Sequence, residues 1–152
     1  MLSLPQIHSA PIQAKIHPEN EYTMYFDGCS KGNPGKSGAG ACIFSSGKEV
    51  WSSSIFVGEK ETNNVAEYSG LILGLKQARD MNIRNLIVYG DSLLIIKQMN
   101  KQYKISSENL VPLFKEAQEL KKEFDTILFV HIYRTQNKRS DELSNIGLLL
   151  HK

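Results

Sequence analysis

The hydrophobic period of this chain changes at Thr62, and that change constrains the fold more than any other feature. Upstream, YTMYFDG (22–28), AGACIFSS (39–46) and KEVWSSSIFVG (48–58) read as strands, rich in β-branched and aromatic residues. Downstream, Val65, Tyr68, Leu71, Ile72, Leu75 and Ala78 recur at helical intervals and predict a helix over 63–82, capped by Thr62 or Asn63. The period then alternates. NLIVYG (85–90) is a short apolar run of the kind buried on both faces of a sheet. DSLLIIKQMN (91–100) restarts a helix behind Asp91 or Ser92, and ENLVPLFKEAQELKKEF (108–124) adds another, with Pro112 tolerable only in its first turn. TILFVHIY (126–133) is a last strand, and SDELSNIGLLLHK (140–152) a closing helix weakened by Gly147. The order βββαβααβα predicts an α/β fold. Its three leading strands form an antiparallel meander in a mixed five-stranded sheet, with helices on both faces.

SKGNPGKSG (30–38) is rich in turn residues and is expected to be a loop between the first two strands. Ser46-Gly47 is expected to join the second to the third. Residues 1–20 hold three of the five prolines and no clear period. They read as a flexible arm or linker, leaving 21–152 as one domain of adequate core size. No stretch approaches the ~20 apolar residues of a membrane span. The N-terminus lacks the basic and apolar regions of a secretory leader. Cys29 and Cys42 are too few for a zinc site or a disulfide framework. The expected setting is therefore a reducing compartment, cytoplasmic, nuclear or organellar, with a monomer the default and no membrane or protein partner implied. Net charge is only +2, compatible with a polyanionic partner whose basic contact surface is offset by clustered acids.

Four such acids stand at the edges of apolar segments: Asp27 after YF, Glu67 in TNNVAEYSGLILGL, Asp91 in VYGDSLLIIKQM and Asp141 in NKRSDELSNIG. Taken singly, each has an ordinary explanation as a helix cap, a favourable charge at a helix start or a turn residue. Taken together, they fall where strand ends meet helix starts, and in an α/β sheet such positions converge on one rim. Converging carboxylates need a counter-charge, and hard divalent cations are the simplest one.

The neighbours of these acids are specific. DGCS, then GNPGKSGAG, then TNNVAEYSGLILGL, then YGDS, then N-x-x-x-DEL-x-N form an ordered set that resembles type 1 ribonuclease H from about Tyr22 to about Leu149. The chain looks most like the compact subgroup without a basic protrusion, since only KQYKISSEN joins the second and third helices. The resemblance implies that Asp27, Glu67, Asp91 and Asp141 bind two Mg²⁺ ions, with Mn²⁺ as a substitute, about 4 Å apart around a scissile phosphate. Asp27 would bridge both ions. Asp141 would help hold the water-activating ion, while Glu67 and Asp91 would help hold the ion at the leaving 3′ oxygen. The implied reaction is hydrolysis of the RNA strand of an RNA/DNA hybrid, leaving 5′-phosphate and 3′-hydroxyl ends.

The resemblance also implies substrate contacts. Gly28, Ser30, Asn33, Asn63 and Asn64 would meet 2′-hydroxyls or bases in the minor groove, where RNA differs from DNA. Thr62 would help hold a DNA phosphate, with Ser106 a weaker match. Lys97, Lys101 and Lys104 are equally readable as phosphate contacts or as a solvated face. Trp51 reads as packing. Many family members carry a mobile loop histidine, but His131 falls inside the last strand. RTQNKRSD resembles the short-loop subgroup, making Arg134 and Asn137 the candidate residues near the phosphate. Metals and substrate phosphates would then carry the proton transfers, with a preference for Mn²⁺. A resolvase- or integrase-like enzyme and a non-catalytic nucleic-acid-binding module are the competing readings of the same fold. The NNVAE and NKRSDEL segments weigh against the first, and four intact acids against the second.

Overall fold

The alternation along the first strand decides which side of the sheet becomes the core. In β1 (Tyr22–Lys31), Met24 and Phe26 are fully buried, while Thr23 and Tyr25 on the other side are half-buried. A computed structural model describes residues 21–150, so the expected arm at 1–20 lies outside the described residues. β1 is followed by β2 (Gly35–Ser45), β3 (Lys48–Glu61), α1 (Asn63–Asp80), β4 (Asn85–Gly90), α2 (Leu93–Met99), α3 (Val111–Lys121), β5 (Thr126–His131) and α4 (Lys138–Leu148). A single 3₁₀ turn, Arg134–Gln136, links β5 to α4 and was not foreseen from the sequence.

The sheet order is β3-β2-β1-β4-β5. β1, β2 and β3 form the antiparallel meander, whereas β4 lies parallel to both β1 and β5. One face is covered by α1, which brings Tyr68, Leu71 and Leu75 against Met24, Phe26 and Val88, all fully buried. Each such side chain stabilises the fold by roughly 1.5–3 kcal/mol. The buried Tyr68 hydroxyl donates to Gln98 Oε1 at 2.7 Å, which removes the penalty of burying two polar groups. Trp51 is 3% exposed and belongs to the core, as its setting in the sequence suggests. The Ser46-Gly47 turn has φ of 49° and 84°, the two left-handed positions that a tight hairpin requires.

Two expectations need correction. The glycine-rich stretch 30–38 is mostly strand. Pairing runs through Cys29↔Gly38 and Lys31↔Lys36, and only Gly32–Pro34 remain as the turn. Gly38 is there to admit α4: a Cβ on Gly38 would stand 2.5 Å from the Ser144 carbonyl oxygen. Gly147 has the same explanation from the helix side, since its Cβ would stand 2.3 Å from the Ile55 carbonyl oxygen. The lost helix propensity is exchanged for close packing of α4 on β2 and β3. The third helix also starts later than predicted, at Val111, which places Pro112 in the first turn where its missing N–H costs nothing.

Candidate active site

The parallel β1–β4 ladder ends at the pair Phe26↔Gly90, and Asp27 and Asp91 are the next residues on the two strands. The site therefore forms where β4 ends and parts from β1, which itself runs on to Lys31 in its pairing with β2. Glu67 arrives from α1. Thr62 caps that helix by accepting from the Val65 N–H at 3.2 Å, which makes Glu67 its fifth residue. The helix lies unusually close to β1. A Cβ on Gly28 would stand 2.2 Å from the Ala66 carbonyl carbon, and one on Gly70 would stand 2.5 Å from the Asp27 carbonyl oxygen. Glycine at these two positions lets the backbones touch and delivers the Glu67 carboxylate to Asp27.

Asp27, Glu67 and Asp91 each offer a carboxylate oxygen within 4.8 Å of the other two. Asp141, in the first turn of α4, lines the same groove but stands outside that tight group. The groove has a volume of about 440 Å³ and is open to solvent. Asp27 and Glu67 are buried, at 5% and 9% exposure, while Asp91 and Asp141 are half-buried.

Burial pushes the Asp27 carboxyl up to about 7, and the Asp91 charge adds to it; bonds from Glu67 and from the Gly28 N–H (2.9 Å) pull the other way. Glu67 is raised well above the ordinary carboxylate range, first by burial and then by the charges of Asp27 and Asp91. The pair thus retains a proton near neutrality in the absence of a cation. One Glu67 oxygen, Oε1, is buried without a hydrogen-bond partner. An all-carboxylate donor set, crowded with like charge and holding a spare oxygen, fits hard divalent ions such as Mg²⁺ or Mn²⁺.

The remaining expected residues divide into two groups. Gly28, Ser30, Asn63, Asn64 and Arg134 line the groove with the acids, joined by Cys29 and Ser92. Ser30 Oγ also reaches the Glu61 carbonyl oxygen at 3.2 Å, bracing β1 against the end of β3. Asn33 stands outside the groove lining and accepts from the Asn63 N–H at 2.9 Å, tying the hairpin tip to the start of α1. Thr62 stands outside the groove lining, and its hydroxyl oxygen accepts from the Val65 N–H as the helix cap.

Asn137 requires correction. It is 1% exposed, and its amide donates inward to the Phe26 carbonyl oxygen (3.0 Å) and to Asp91 Oδ2 (3.1 Å), so it has no free face for substrate. Lys97, Lys101, Lys104 and Ser106 are not among the residues lining the groove; Lys97 sits over the Tyr103 ring at 5.2 Å. His131 is the last residue of β5, packs edge-on against Tyr133 and does not line the groove, in keeping with the strand reading.

Over residues 25–147 the chain matches the family described as reverse transcriptase-like. It is 34% identical over 139 residues to ribonuclease HI of Halobacterium salinarum, covering 90% of this chain and 70% of that protein. The crystal structure of RNase H1 from the same archaeon is similar with a TM-score of 0.80, over 84% of this chain and 97% of that one. LC11-RNase H1, solved in complex with an RNA/DNA hybrid, is 35% identical with a TM-score of 0.78, over 84% of this chain and 96% of that one. Bifunctional protein Rv2228c of Mycobacterium tuberculosis is 37% identical over 120 residues, which are 78% of this chain but 33% of that protein. The chain thus spans about a third of the length of its mycobacterial relatives. These matches place the domain in the reverse transcriptase-like class. Within that class, the chain belongs to the type 1 ribonuclease H family.

Proposed function

We propose that this protein is an endonuclease that hydrolyses the RNA strand of RNA/DNA hybrids with two divalent ions, leaving 5′-phosphate and 3′-hydroxyl ends. The observation that carries this reading is the carboxylate cluster with its unpartnered Glu67 oxygen, set in a groove edged by short polar side chains. When bound, the ions supply Lewis-acid polarisation of the phosphate, an activated water and charge stabilisation at the leaving oxygen. Asp27 interacts electrostatically with the other three acids and would be a ligand in the ion site. Glu67 and Asp91 would serve the ion on their side, and Asp141 the other. Mg²⁺ is the proposed ion, with Mn²⁺ its substitute.

The chain's own residues bind and orient the hybrid. Asn63 and Asn64 open α1 at the groove and present side-chain amides suited to a 2′-hydroxyl, which both donates and accepts. The Gly28 backbone and the Ser30 hydroxyl lie at the same wall. Arg134 offers a guanidinium to a backbone phosphate. No histidine lines the groove among the described residues, which leaves substrate phosphate oxygens and water to take the proton.

Incubation with labelled RNA/DNA hybrid, duplex DNA and duplex RNA, in Mg²⁺, Mn²⁺ or EDTA, tests the proposal. Metal-dependent cutting of RNA in the hybrid alone is expected. Loss of cutting in Asp27→Asn, with fold retained, is expected as well. Cleavage that survives EDTA or that substitution would refute the assignment of the acids.

A further inference from the structure

We propose that Asn137 is a positioning residue that holds the acids in register through a single buried amide. This rests on the reading that the acids bind divalent ions. One amide nitrogen has two protons, and both are used: one donates to the Phe26 carbonyl oxygen at 3.0 Å and the other to Asp91 Oδ2 at 3.1 Å. Phe26 is the last β1 residue paired with β4 and directly precedes Asp27. The amide therefore sits in the split between the two strands and joins both sides of it. The two acceptor oxygens fix which way the amide nitrogen points, and its oxygen on the other side accepts from the Ser140 hydroxyl. Its backbone carbonyl accepts from the Asp141 N–H at 3.1 Å, the first turn of α4. One residue thus touches the strand carrying Asp27, the carboxylate of Asp91 and the helix carrying Asp141.

Asn137 is only 1% exposed, so its effect on chemistry has to pass through the acids. A hydrogen bond from the Asn137 amide to one Asp91 oxygen orients that carboxylate while leaving lone pairs for an ion. Substitutions of such outer partners typically cost 10–100-fold in metal affinity or activity. An amide is also the side chain the place requires: a carboxylate there would face Asp91 and the Phe26 carbonyl with no donor, and an apolar residue would strand both acceptors.

The test is isothermal titration of the full chain with Mn²⁺ and with Mg²⁺ alone, comparing wild type with Asn137→Ala, alongside steady-state cleavage of hybrid. The variant is expected to bind metal at least about 10-fold more weakly. It should also need correspondingly more metal for half-maximal rate, with KM for hybrid at saturating metal within twofold. A folded variant with wild-type metal affinity overturns the proposal, as does one whose only change is a raised KM for hybrid. Metal binding lost in the variant supports the proposal even if the wild type cleaves no hybrid, in which case the nuclease reading alone fails. If the variant does not fold, NMR of the wild type decides. The side-chain amide protons of Asn137 should exchange slowly with solvent, with and without hybrid, and exchange as fast as an exposed asparagine overturns the tether.

Discussion

Replacing Asp27 by Asn should stabilise the metal-free protein at neutral pH. In the unfolded chain this carboxyl titrates near its ordinary 3.8, whereas in the folded chain burial and the Asp91 charge raise it to about 7. Because the folded value lies above the unfolded one, its contribution to stability is complete below 3.8 and is lost as pH rises toward and through 7. At 1.36 kcal/mol per pH unit, that displacement corresponds to a ceiling of about 4 kcal/mol at pH 7 and above. Asn removes the charge and keeps an oxygen to accept from the Gly28 N–H, a bond of 2.9 Å in the parent. Glu67 shares the titration and the new amide has imperfect partners, so a gain of about 2 kcal/mol is expected, or about 7 °C in Tm for a domain of this size. Thermal unfolding in EDTA at pH 4, 5, 6, 7 and 8 measures it. The difference between variant and wild type should be close to zero at pH 4, grow through pH 6 and level off above pH 7. Added Mg²⁺ should raise the wild-type Tm and leave the variant nearly unmoved. A lower Tm in the variant at pH 8, or a difference that does not vary with pH, would refute the account of a charge-crowded centre.

Gly28→Ala should destabilise the fold by roughly 1–3 kcal/mol through overpacking, because its Cβ would stand 2.2 Å from the Ala66 backbone. It should also reduce hydrolysis by moving Glu67, read by thermal unfolding together with cleavage rate. His131→Ala should retain activity within twofold, since the ring lies outside the groove; loss of most activity at unchanged Tm would reinstate a catalytic histidine. Arg134→Ala should raise KM for hybrid several-fold and reduce the salt dependence of binding by about one phosphate contact, measured as the slope of log affinity against log salt.

The convergence of the acids was legible in the sequence because a carboxylate directly after Phe26 or Gly90 closes an apolar run where packing has no use for it. The glycines were less legible, because glycine serves two physical purposes that spacing does not separate. In 30–38, Gly32 has the positive φ of a turn (87°), while Gly38 is a point of backbone contact within a strand. Asn137 was legible as important and misread in role. Four residues ahead of Asp141, beside Arg134, it reads as a surface residue reaching for phosphate, and nothing local shows that its amide turns inward. That direction is set by the parting of β1 from β4, a long-range event that leaves the Phe26 carbonyl to be satisfied by a side chain. The same event explains why the centre needs a tether at all. Asp27 stays paired with Gly40 of β2, but the β1–β4 ladder stops one residue before the two acids, so the separation of Asp27 from Asp91 depends on side-chain bonds. On this argument the activity should be more sensitive to Asn137 than to Arg134, although only Arg134 lines the groove, and comparing kcat/KM of the two alanine variants would decide it.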